Sequence, residues 1–77
     1  MKCIRFDVTS MPPQEIESFY DHITGFADVT DIKRDPETYK MVYIRAFFSE
    51  ETNIEQLISG FNSVKYTDIT GTNLLNP

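Results

Sequence analysis

The side chains able to move a proton, attack an electrophile or hold a metal are few in this sequence: His22, Cys3 and twelve carboxylates. Proton transfer near neutral pH calls for a placed histidine or a carboxylate with a shifted pKa, and nucleophilic catalysis calls for a base beside the nucleophile. His22 falls late in a helical pattern, where a partial positive charge suits the helix carboxyl end. Cys3 alternates onto the side of a strand away from that helix, so the two do not predict a thiolate–imidazole pair. One cysteine and one histidine cannot close a zinc site. Ten of the twelve carboxylates fall in three regions: Glu15, Glu17 and Asp21; Asp28, Asp31, Asp35 and Glu37; and Glu50, Glu51 and Glu55. None has the alternating oxygen spacing and closing glutamate of a calcium loop. Gly25, Gly60 and Gly71 stand apart and form no phosphate-cradling loop. The residues therefore predict no catalytic group, no metal and no cofactor.

The elements that would carry these groups follow from apolar spacing. Residues 2–8 alternate, with Ile4, Phe6 and Val8 on one side and Cys3, Arg5 and Asp7 on the other, as in a strand covered on one face. Pro12 and Pro13 stop the strand and suit a first helical turn. Ile16, Phe19, Tyr20 and Ile23 make one helical stripe over residues 13–24, and Gly25 is placed to end that helix in a left-handed conformation. A second strand over residues 26–33 and a turn at 34–38 lead to the clearest strand, residues 40–48. There Val42, Ile44, Ala46 and Phe48 share one face, and Met41, Tyr43, Arg45 and Phe47 share the other. Thr52 and Glu55 have capping-box spacing before a second stripe, Ile54, Leu57, Ile58 and Phe61. A last strand spans residues 64–69.

The order is β-α-β-β-α-β, an α+β arrangement of the split β-α-β, ferredoxin-like plan. The helical stripes repeat at an offset of 38 residues, which also relates Ile4 to Val42 and Phe26 to Val64. Right-handed crossovers place the first and third strands in the centre of a four-stranded antiparallel sheet, with both helices on one face. One domain over residues 1–70 is expected, with a poorly patterned tail at 71–77. The expected core joins Ile4, Phe6, Val8, Val42, Ile44 and Phe48 to Ile16, Phe19, Ile23, Ile54, Leu57, Ile58 and Phe61.

The order also resembles that of RNA-recognition-motif domains, with residues 40–47 where their strand-three motif lies. Position 41 lacks that motif's glycine, and Val42 and Ile44 replace its stacking aromatics. Metal-carrying domains of the same plan use a paired-cysteine loop where this chain has Ser10, Met11 and Pro12. The acylphosphatase type uses an arginine-bearing phosphate loop, and residues 9–13 contain no arginine.

The uncovered sheet face is the expected functional surface. Met41, Tyr43 and Phe47 would form an apolar centre for protein association, with Arg5 and Arg45 at its rim. Glu50, Glu51 and Glu55 form a candidate acidic patch able to occupy a basic site on a target. The net charge of −5 opposes phosphate binding, so nucleic acid is not the expected partner. A single cysteine fits a reducing compartment, and no apolar run is long enough to span a membrane. These features predict a cytoplasmic protein, of a cell or of an infected host cell. Its expected role is accessory or regulatory, acting by association with a protein partner, as an inhibitor or as a homodimer. The alternatives are weak single-stranded nucleic-acid binding on the open face and a cofactor-free enzyme built across a dimer.

Overall fold

The computed structural model describes residues 1–71 and, for residues 28–30, the backbone alone. Its elements are β1 (Lys2–Asp7), α1 (Pro13–Thr24), β2 (Asp28–Arg34), β3 (Met41–Phe48), α2 (Ile54–Leu57) and β4 (Lys65–Asp68). The sheet order is β2-β3-β1-β4, and every neighbouring pair is antiparallel. Two helices on one face of this sheet make the ferredoxin-like fold. Most of the expected tail, residues 72–77, lies outside the described residues.

Alternation in β1 sends Ile4, Phe6 and the following Val8 under the helices, where all three are buried. Phe6 lies opposite Ile44, and Ile4 opposite Ala46, so the two central strands share one apolar surface. Ile16, Phe19 and Ile23 of α1 are buried against it. Phe6 meets Phe19 edge-on at 5.1 Å and Phe48 at 5.9 Å, and Phe19 meets Phe61 at 5.0 Å. Edge-to-face geometry sets the electropositive rim of one ring against the face of the next, adding to the gain from burial.

β3 departs from simple alternation. Tyr43 lies opposite Lys33 and Met41 opposite Arg34, which leaves Val42 as an extra residue in the strand. This β-bulge breaks the two-residue period. Met41 turns into the core, 5% exposed, and Val42 is only half-buried and outside the core cluster. The expectation that Val42 packs in the core while Met41 joins the open face is thus corrected. Met11 also enters the core, its amide bonded to the Val8 carbonyl at 3.1 Å.

Both helix ends differ from expectation. Gly25 keeps right-handed backbone, with φ −76°. The α1 terminus instead tightens, with the Gly25 amide donating to His22 O and the Phe26 amide to Ile23 O, each three residues back. α2 is a single turn whose N-cap is Asn53, not Thr52: the Asn53 side chain accepts from the Gln56 amide at 3.1 Å. Thr52 has other partners, its hydroxyl 2.9 Å from Ser49 Oγ and its carbonyl accepting from Lys2 Nζ at 2.6 Å. After Leu57 the chain continues in three-residue turns, Ser59 to Gln56 and Phe61 to Ile58. The apolar stripe survives, with Leu57, Ile58 and Phe61 packed against the core, but on an irregular segment.

The β2–β3 hairpin is closed by Asp35. Its carboxylate accepts from the amides of Glu37 at 2.8 Å and Thr38 at 3.1 Å, and its own amide donates to Lys40 O at 2.8 Å. The Thr38 and Glu37 amides hold the Asp35 carboxyl below its ordinary range.

Two measurements check this packing. Met41→Ala should lower the unfolding free energy by about 2–5 kcal/mol in denaturant titration, as a buried methionine requires; a surface Met41 would leave it unchanged. A lowered folded-state pKa stabilises above the unfolded value near 3.9 and is lost as pH falls through the folded value. Asp35→Asn should therefore flatten the decline in thermal midpoint below about pH 4.

Candidate interaction face

The sheet side away from the helices is ordered in cross-strand rows. One runs Lys65, Asp7, Tyr43, Lys33, and the next runs Thr67, Arg5, Arg45, Asp31. Cys3 and Phe47 lie opposite each other in a third. Lys65 and Thr67 thus join this face through register with β1. Lys33 and Asp31 were missed in the sequence because a second register shift, between Val29 and Asp31, disguises the alternation of β2.

Of the five residues expected to form the site, the structure brings four together: Arg5, Tyr43, Arg45 and Phe47. The guanidinium carbon of Arg5 stands 4.3 Å from the centre of the Tyr43 ring, within cation–π range. Arg45 Nη2 donates to Asp31 Oδ2 at 2.6 Å, which raises the Arg45 pKa further above its ordinary value. Tyr43 and Phe47 are half-buried although no helix covers them. Met41, in the core, is the member that is absent.

Cys3 is 2% exposed. Burial pushes its thiol pKa up, with Arg45 partly offsetting this and Asp68 adding to it. The Cys3 carbonyl accepts from the Ile69 amide at 2.9 Å, and its amide donates to Thr70 Oγ1 at 2.8 Å. Asp7 is held below the ordinary carboxylate range, first by the Thr9 hydroxyl at 2.6 Å and then by the Thr9 amide at 3.0 Å.

Charge is unevenly placed. Among the described side chains, the face carries Arg5, Lys33, Arg45 and Lys65 against Asp7 and Asp31. The whole chain has a net charge of −5, so the negative excess lies elsewhere. Part of it is the acidic region, which is not one cluster. Glu50 lies 3.4 Å from the N-terminal amino group, whereas Glu51 and Glu55 line a hollow with Lys2, Tyr66 and Asp68.

His22 belongs to the helical layer, with Nε2 2.9 Å from Leu57 O. Among the described residues there is no group of three or more His, Cys, Asp or Glu side chains placed to hold a metal. None of the described helices is long and apolar enough to cross a membrane. Comparison with protein-family models, curated proteins and solved structures finds no match, so the chemistry of this face rests on its own geometry.

A buried thiol of raised pKa is a poor nucleophile. Native protein should react with an aromatic disulfide reagent only as fast as the contacts of β1 with Ile69 and Thr70 open, and within seconds once denatured. Stopped-flow absorbance compares the two; equal rates would place Cys3 at the surface.

Proposed function

We propose that this domain acts by binding another protein through the open sheet face, as an accessory or regulatory module. The observation that carries the reading is the uncovered, cationic surface around Tyr43 and Phe47 on a chain that is acidic as a whole. Aromatic side chains and arginine are the residue types that most often dominate interface energetics, and here Tyr43 and Arg5 already hold each other in place. Each ring is already more than half covered, so completing its burial supports association by only about 0.5–1 kcal/mol before ordering costs.

The charge pattern bears on the partner. A face-to-face pair of identical copies would set this net-positive face against itself, and like charges repel. A different protein carrying carboxylates around an apolar spot fits better. Such complementarity speeds encounter and makes the complex sensitive to salt. Stacking of a nucleobase on Tyr43 is disfavoured, because the Arg5 guanidinium already occupies a position over that ring.

Arg5→Glu combined with Lys65→Glu inverts the charge of the face without touching the core. Immobilised wild-type domain should retain a partner from nuclease-treated extract, less of it as salt rises, and the double variant should retain none. Phe47→Glu should also abolish retention with circular dichroism unchanged. Equal retention by all three proteins would refute the reading. Titration with short single-stranded DNA should show no binding tighter than the roughly 10⁻⁴–10⁻⁶ M non-specific range. Tight, salt-resistant binding lost in Tyr43→Ala would assign the face to nucleic acid instead.

A further inference from the structure

On the helical layer, far from the sheet face in its chemistry, a cleft of about 500 Å³ opens where the end of α1 meets the α2 turn. Three rings form its walls. Phe61 is held from behind by core Phe19 at 5.0 Å. His22 is fixed by the contact of its Nε2 with Leu57 O, and since a carbonyl only accepts, that nitrogen carries the proton. Its ring lies 5.4 Å from Phe61 and 5.2 Å from Phe26. Phe26 is left 58% exposed at the mouth. We infer that this cleft is a binding site for an uncharged, flat aromatic small molecule of at least two rings.

Three observations select that ligand. First, a quarter of the chain is charged, yet among the described residues no Lys, Arg, Asp or Glu lines the cleft. A charged ligand would lose its hydration there without gaining a counterion. Second, the volume falls inside the roughly 300–1,000 Å³ span of small-molecule pockets and exceeds what a single protein side chain fills. Third, Gly60 lines the cleft without being needed by the fold. Its φ lies outside the left-handed region, and a Cβ built there meets nothing within 4 Å. The carboxamides of Asn53 and Gln56 line the polar side, where they can donate to a carbonyl or hydroxyl at the ligand's edge. Asn53 Oδ1 is already engaged by the Gln56 amide, so the Asn53 contribution is its NH₂ group.

Gly60 supplies a test that spares the core. The probe is N-phenyl-1-naphthylamine, a neutral aromatic whose fluorescence rises in an apolar site. Wild type should give a saturable, one-to-one enhancement. Gly60→Leu, which adds a bulky side chain to the cleft lining, should weaken binding at least about tenfold, with thermal midpoint and circular dichroism unchanged. The anionic 1-anilinonaphthalene-8-sulfonate should bind about tenfold more weakly than the neutral probe. Non-saturable enhancement, equal binding by Gly60→Leu, or equal affinity for the two probes would overturn the inference. So would a wild-type dimer in sedimentation that Gly60→Leu converts to monomer, since a second copy would then be the occupant. None of these readouts involves the sheet face, so the two surfaces stand or fall separately.

Discussion

The contact between Phe6 and Phe19, edge to face at 5.1 Å, joins the sheet to the helical layer at the centre of the molecule. Phe6 belongs to a central strand and Phe19 to the middle of α1, and both are fully buried. Through Phe48 on one side and Phe61 on the other, the same ring chain reaches β3 and the segment after α2. Rings packed this way permit little sliding, so the position of α1 over β1 and β3 determines where every later element can sit. A chain of 77 residues buries a limited share of its surface, and a continuous aromatic path concentrates that burial where it does most.

Economy in the helical layer has consequences at the surface. α2 contributes one turn, anchored by the buried Ile54 and capped by Asn53, and the chain then descends through irregular turns to Phe61. A regular helix over the same stripe would be a continuous rod. The end of α2 is instead bridged to α1 by His22, whose Nε2 meets the Leu57 carbonyl 35 residues away, and a cleft remains between the two. Among the described residues, no second layer covers the opposite sheet surface. There the chain compensates locally: Arg5 lies over Tyr43, Arg45 pairs with Asp31, and Cys3 is buried with Ile69 as its neighbour across the strand edge.

Electrostatically the domain has two sides. Cations gather on the sheet rows, and carboxylates gather on the helices, the turns and the α2 approach. Such a separation does little for stability, because exposed ion pairs contribute about 0–1 kcal/mol each. On the proposed reading its effect is on encounters, by orienting the sheet face toward negative surfaces before contact. Arg5 and Tyr43 hold each other and Arg45 pairs with Asp31, all outside the core cluster, which is why substitutions there are expected to alter binding more than folding.

How much was legible in the sequence depends on the range of the interaction concerned. Alternation through Ile4, Phe6 and Val8, the stripe Ile16–Phe19–Ile23 and the proline start of α1 are properties of neighbouring residues, and they predict the element order, the sheet topology and most of the core. Four of the five expected face residues follow from the same alternation. Met41 does not, because a bulge is a relation between two strands: the extra residue at Val42 exists only in register with Lys33 and Arg34. The Asn53 cap likewise depends on which of two adjacent polar side chains the tertiary path turns toward the Gln56 amide, once Lys2 has engaged the carbonyl of Thr52. The Phe26–His22–Phe61 cleft depends on a helix end and a turn that are distant in sequence. Local periodicity, written residue by residue, let the sequence determine the fold; register and long-range side-chain geometry, set only when the layers close on each other, decided the surfaces.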